Sequence, residues 1–182
     1  GQKMREQIIQ LEQNMVDPQE STLRNGFHLM PPTGWLNDPN GLCQLGDQCH
    51  VFFQYAPYDA KGSGPKGWGH YRTKDWCEFE YMPVPLLPDE EFDRNGVYSG
   101  SSFIDDKGMH LFYTGNVKLP GDHDYTTSGR LADTVLVERA ISLFLRTFIT
   151  ASTSFASIAL RILLQADLHF FKRDISEVII ST

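Results

Sequence analysis

With 182 residues, 41% of them hydrophobic, the chain is long enough for one ordinary domain with its own core. A net charge of -7, from 16 Lys and Arg against 23 Asp and Glu, argues against a nucleic acid or an anionic membrane surface as partner. The three cysteines, Cys43, Cys49 and Cys77, are too few for a disulfide framework and suit a reducing, cytoplasmic setting. Cys43 and Cys49 flank a turn, but hairpin neighbours seldom meet disulfide geometry. No CxxC or HExxH spacing occurs, so neither a metal nor any other cofactor is expected. The chain begins at Gly1 rather than Met and carries no signal-peptide pattern.

Residues 2–16, QKMREQIIQLEQNMV, place Met4, Ile8, Leu11 and Met15 on one stripe at helical spacing, and Asp17-Pro18 ends it. A packing helix is expected there. From Phe27 the pattern changes to short aromatic and β-branched runs punctuated by Gly, Pro and Asp. GLCQLGDQCHVFFQY (41–55) reads as a hairpin turning at Gly46-Asp47, and GSSFIDDKGMHLFYTG (100–115) as another turning at Asp106-Lys107-Gly108. The two are alike: His50-Val51-Phe52-Phe53 corresponds to His110-Leu111-Phe112-Tyr113 at an offset of 60 residues. A β unit repeated at that spacing suggests propeller blades.

The last third differs. All 15 glycines lie at or before Gly129, all 10 prolines at or before Pro120, and residues 139–182 contain no Gly, Pro, Asn, Trp or Tyr. The tail is therefore free to form helix, or it does not belong to the design before it. Its apolar stretch, 141–164, is interrupted by Arg146 and Arg161 and is a poor membrane span.

Candidate chemistry centres on GWLNDPNG, residues 34–41. Pro39 pushes Asp38 towards extended backbone and Asn40-Gly41 permits a tight turn, so the carboxylate is held on a stiff, pre-set segment. Asn37 can donate to a sugar hydroxyl, and Trp35 can offer a face to a sugar ring. On residue types alone, a plain turn is the simpler reading. In GWGHYRTKD, Trp68 reads equally as a ligand-facing ring or as a seal between blades. Tyr98 and Ser99 in GVYSGSS read as the small-residue start of a strand. Gln54 ends an apolar strand and is either exposed or aimed into a cleft.

Taken together, FHLMPPTGWLNDPNG, FFQY, WGHYRTKD, LLPDEEFDRNGVYSGSS, LFYTGN, GDHDYTTSGR and DTVLVE resemble glycoside hydrolase family 32, the family of invertases, other β-fructofuranosidases and sucrose-6-phosphate hydrolases. The resemblance runs from about Phe27 to Glu138, and its last two segments are most similar to the sucrose-6-phosphate hydrolase branch. It implies a five-bladed β-propeller, present here as an incomplete N-terminal portion of about two blades. The implied organisation is an N-terminal helix and linker (1–24), a partial propeller catalytic domain (25–138) and an unrelated or frameshifted tail (139–182). The implied reaction is retaining hydrolysis of a terminal β-fructofuranosyl bond, without cofactor, on sucrose or sucrose-6-phosphate. Asp38 falls on the nucleophile, and Asn37, Gln54, Trp68, Tyr98 and Ser99 fall on positions lining the fructose site, with Trp35 beside them.

The family also uses an Arg-Asp-Pro stabiliser and a Glu-Cys acid/base, and neither motif occurs in these 182 residues. Arg173-Asp174 lacks the proline and Glu177 lacks the cysteine. Glu78, Glu80, Glu90 and Glu91 fall where the family has no acid/base. These absences favour, for the chain alone, an inactive product or a non-catalytic fructoside-binding fragment; fructosyl transfer is the other enzymatic alternative. Lys61, Lys66, Arg72 and Lys118 are candidate contacts for a 6-phosphate, with surface solvation the simpler role for each. About two blades without neighbours would leave open edges, so self-association is expected.

Overall fold

The computed structural model describes residues 2–14, 22, 24–140 and 143–148. A helix, α1 (Gln2–Gln13), precedes two four-stranded antiparallel sheets. The first runs in the order β1 (Trp35–Leu45), β2 (Gln48–Ala56), β3 (Gly67–Thr73) and β4 (Glu80–Leu86); the second in the order β5 (Val97–Asp105), β6 (Gly108–Lys118), β7 (Arg130–Ala140) and β8 (Leu143–Phe148). Each is a simple meander, and the first strands of the two, β1 and β5, lie side by side. This is how consecutive propeller blades sit around an axis.

Both expected hairpins are present. Gly46-Asp47 joins β1 to β2, and Asp106-Lys107 joins β5 to β6, with Asp105 accepting the Lys107 and Gly108 amides at 2.9 and 3.2 Å. The equivalence at 60 residues is realised as physical contact: the Gly100 amide donates to Asn40 Oδ1 at 3.2 Å, and Ser102 Oγ donates to the Leu42 carbonyl at 3.2 Å. The three cysteines are free thiols.

β2 explains why its sequence, HVFFQY, lacks the half-polar alternation of a surface strand. It is covered on both faces. On one face Phe52 joins Trp68 and Leu86 against Val97, Met109, Leu111, Tyr113, Val135 and Val137 of the second sheet. On the other face Val51, Phe53 and Tyr55 join Tyr71, Val84 and Leu87 under Ile8 of α1. The helix is held there by its predicted stripe, with Ile8 buried and Met4 packed alongside; Met15 lies outside the described residues. Polar contacts add to it. Tyr55 and Tyr81 both donate to Glu12 Oε1, at 3.0 and 2.6 Å, and Arg5 donates to the Val84 carbonyl.

The tail departs from a helical expectation where it is described. β7 runs through Glu138 to Ala140, and β8 pairs with it from Ala140↔Leu143 to Val135↔Phe148. A sheet edge with unpaired amides recruits the next apolar segment regardless of missing turn residues. Residues 149–182, including Arg173-Asp174 and Glu177, lie outside the described residues.

Burial, then the neighbouring Glu12, raises the pKa of both the Tyr55 and Tyr81 phenols. A raised folded-state pKa means the folded protein holds these protons more tightly than the unfolded chain. The contribution is therefore whole below the ordinary tyrosine pKa of about 10 and is lost as pH rises above it. Denaturant unfolding across alkaline pH is expected to show this loss, and Tyr55→Phe with Tyr81→Phe should flatten it.

Candidate active site

The motif 37–41 does not form an isolated turn. It is built into β1 through two bulges. Leu36 pairs with Tyr55 and Pro39 with Phe53, so Asn37 and Asp38 together oppose the single residue Gln54. Asn40 then pairs with Phe52 and Cys43 with His50, which leaves Gly41 and Leu42 opposite Val51. The extra residue in each bulge bends the strand and re-aims side chains, a device found next to active sites. Pro39 is tolerated because the ladder is already interrupted there. Gly41 takes a φ of +50°, and a Cβ on it would press on Phe52 and Trp68 at 3.1 Å.

The second blade repeats the device. Tyr98 pairs with Thr114 and Gly100 with Tyr113, so Ser99 is the bulged residue of β5. A Cβ on Gly100 would stand 1.8 Å from the Phe112 carbonyl oxygen, closer than any side chain allows. Two bulged inner strands therefore lie side by side, Asp38 on one and Ser99 on the other, and both residues are exposed.

Around them the seven predicted residues divide into two groups. Trp35, Asn37, Asp38, Tyr98 and Ser99 present surface. Trp35 is 38% exposed, and its indole Nε1 donates to Asn37 Oδ1 at 2.9 Å, which leaves the Asn37 amide nitrogen to donate elsewhere. Gly62 lies against the Trp35 ring, and Lys66 Nζ sits 5.9 Å from its centroid. Arg130 lies 5.3 Å from the Tyr98 ring. Asp38 accepts no hydrogen bond from the described residues.

Gln54 and Trp68 form the other group. Gln54 is 3% exposed, and its Nε2 donates to the carbonyls of Gly67 and Val97. Trp68 is fully buried in the core between the sheets, and its Nε1 donates to the Tyr98 carbonyl at 3.2 Å. Both hold the start of β5 against the first blade. This is the sealing geometry considered for Trp68 from its residue type, and it sets the backbone that carries Tyr98 and Ser99.

Two polar residues escaped the sequence reading. Asn40 is 3% exposed and accepts the Gly100 amide, tying the two bulges together. The 60-residue offset between them was its available signal. Asp93, fully buried in the connection between the sheets, accepts the Glu90 amide at 2.9 Å and the Tyr113 hydroxyl at 2.7 Å. Nothing in DEEFDRNG marks it out from its acidic neighbours. Among the described residues no group of three His, Cys, Asp or Glu is placed to hold a metal ion, and no helix is long and apolar enough to cross a membrane.

Paired bulges on adjacent inner strands thus bring a carboxylate, an amide, a hydroxyl and rings to one end of a β-propeller fragment. Residues 28–138 match the glycosyl hydrolases family 32 N-terminal domain, and the chain belongs to that family. It is 48% identical over 95 residues to the sucrose-6-phosphate hydrolase of Bacillus subtilis, covering 52% of this chain and 20% of that protein. It is 44% identical over 93 residues to the raffinose invertase of Escherichia coli, covering 51% of this chain and 19% of that protein. Among solved structures, the sucrose-6-phosphate hydrolase of Lactobacillus gasseri superposes with a TM-score of 0.63 at 26% identity, over 82% of this chain and 29% of that one. The Bombyx mori GH32 beta-fructofuranosidase superposes with a TM-score of 0.63 at 27% identity, over 80% and 29%. The chain thus spans about a fifth of the length of the curated relatives it matches.

Gly100→Ala is expected to push β5 off β6 and to cost about 1–3 kcal/mol, as overpacking against fixed backbone does. Thermal unfolding of the variant should show a midpoint several degrees lower, with Gly26→Ala, where a Cβ meets nothing within 4 Å, losing less.

Proposed function

We propose that this chain carries the nucleophile half of a retaining β-fructofuranosidase site for sucrose or sucrose-6-phosphate. The observation that carries the reading is the Asn37-Asp38 bulge opposite Gln54, beside the Ser99 bulge of the next blade, within the matched family region. Asp38 attacks the anomeric carbon of the fructosyl unit as its bond to the leaving sugar's oxygen breaks. A carboxylic acid, about 5–5.5 Å from the nucleophile in retaining enzymes, protonates that oxygen. Water then releases fructose from the covalent intermediate. Asn37, Tyr98, Ser99 and Trp35 contact the fructosyl unit, while Gln54 and Trp68 hold the strands that present them. Free thiols at Cys43, Cys49 and Cys77 fit a cytoplasmic setting.

Among the described residues no group is assigned as that acid. Several described carboxylates are engaged elsewhere: Asp47 with Lys74, Asp105 with His110, Asp93 with Tyr113, and Asp59 and Asp124 with amides of their own loops. The 182-residue chain is therefore expected to hydrolyse sucrose and sucrose-6-phosphate only at background, unchanged by Asp38→Asn. Replacing the residues beyond Glu138 with those of a full-length relative should raise release of reducing sugar by several orders of magnitude. In that chimera Asp38→Ala should abolish the covalent fructosyl intermediate seen by mass spectrometry. Activity surviving Asp38→Ala would remove Asp38 from the nucleophile role.

Self-association belongs to the same reading of an incomplete propeller. Phe103, 56% exposed, lies on the face of the second sheet opposite Leu111 and Val137, and that face meets no further described blade. Light scattering is expected to give a mass above that of one chain; a monodisperse monomer would contradict it.

A further inference from the structure

The turn between β3 and β4 holds the one non-glycine residue with a positive φ among the described residues, Trp76 at 60°. A bulky side chain is strained in that region, where glycine fits. Hydrogen bonds hold the turn in place. Thr73 Oγ1 accepts the Asp75 and Trp76 amides at 3.3 and 2.9 Å, and Asp75 Oδ1 accepts the Cys77 and Glu78 amides, each at 2.9 Å. The turn lies at the end of the blade away from Asp38, where Lys74 reaches Asp47 of the first hairpin at 2.8 Å.

The strained residue is displayed rather than packed away. Trp76 is 59% exposed. Trp35 and Trp68 give their indole N–H groups to Asn37 and to the Tyr98 carbonyl, whereas that of Trp76 has no partner among the described residues. The ring leans on Phe79, at 6.4 Å between centroids and 74° between planes, and Phe79 meets buried Tyr71 at 6.3 Å and 84°. The indole is thus anchored to the core through a second ring while its N–H stays open. Backbone strain that presents an aromatic ring to solvent points to a ligand for that ring.

The surroundings select the ligand. Lys74 is paired with Asp47 and Arg72 with Glu80, so these cations are already compensated. Asp75 and Glu78 are exposed carboxylates on either side of Trp76 in the turn, and they repel an anionic polymer. The same polar border lacks the rim that excludes water around an aromatic anchor in a protein interface. A flat apolar face bordered by an indole N–H and carboxylate acceptors matches a sugar ring, whose C–H faces are apolar and whose edge carries hydroxyls. We infer that Trp76 is the platform of a saccharide-binding site for a neutral oligosaccharide chain, separate from the residues around Asp38. The inference stands independently of the fructoside reading.

Native electrophoresis of the full 182-residue chain through gels containing dextran, inulin or dextran sulfate tests it. Dextran has no fructosyl unit, so binding to it bypasses the residues around Asp38. Both neutral polymers are expected to retard the chain, and dextran sulfate is not. Trp76→Gly should weaken the affinity read from polymer concentration roughly tenfold. It should not lower the thermal unfolding midpoint, since glycine takes a positive φ without strain. Trp76→Tyr, which keeps a ring and a donor, should retain most of the binding, and Asp38→Ala should leave dextran binding unchanged. Undiminished retardation by dextran in Trp76→Gly, an equal loss in Trp76→Tyr, or no retardation by either neutral polymer overturns the inference. Retardation by inulin alone, abolished by Asp38→Ala, also overturns it and leaves the fructoside reading standing. A scattering mass that falls to a single chain in Trp76→Gly assigns the ring to a contact between copies and overturns it as well.

Discussion

The clamp between the first blade and the start of β5 is the constraint on which the site depends. Four hydrogen bonds make it: the Trp68 indole to the Tyr98 carbonyl, the Gln54 amide to the Val97 carbonyl, the Val97 amide to the Lys66 carbonyl, and the Gly100 amide to Asn40. They are laid over an apolar core in which Trp68, Phe52 and Leu86 meet Val97, Leu111 and Tyr113. Buried polar groups of this kind are costly to leave unpaired, so the two sheets can close only in the register that satisfies them. That register sets Asp38 and Ser99 on neighbouring strands.

Given that register, the bulges do the aiming. A regular β1 would place Asn37 and Asp38 on opposite faces, one of them in the core between the sheets. The extra residue opposite Gln54 lets consecutive polar side chains reach the same open end. Ser99 does the same on β5. The connection between the sheets is fixed just as firmly, through Asp93, whose carboxylate accepts from the Tyr113 hydroxyl and whose carbonyl accepts the Gly96 amide at 2.7 Å. Support and chemistry are thus divided among residues only a few positions apart in the chain.

The opposite face of the first sheet explains the N-terminal helix. Val51, Phe53, Tyr55 and Tyr71 would be an apolar surface without it, and Ile8 covers them while Glu12 accepts both tyrosine hydroxyls. A twelve-residue helix is marginal on its own in water, so packing against this face is what makes it form.

What the sequence determined alone is local or periodic. The helical stripe around Ile8, the two turns at Gly46-Asp47 and Asp106-Lys107 and the 60-residue repeat follow from residue spacing, and each is in place. Contacts between residues far apart in the chain needed the fold. Gln54, at the end of an apolar strand, reads as exposed or aimed into a cleft, and Trp68, among glycines, as a ligand-facing ring or a seal between blades; the packing of the second sheet buries both and turns their donors to backbone carbonyls. Asn40 looked like a turn residue until its oxygen met an amide 60 positions away. The strand at Leu143–Phe148 was hidden because missing Gly and Pro speak about turns, whereas an open sheet edge decides pairing. Lys66 and Arg72 were equal candidates by charge, and tertiary structure separated them by giving one a carboxylate partner and the other a ring.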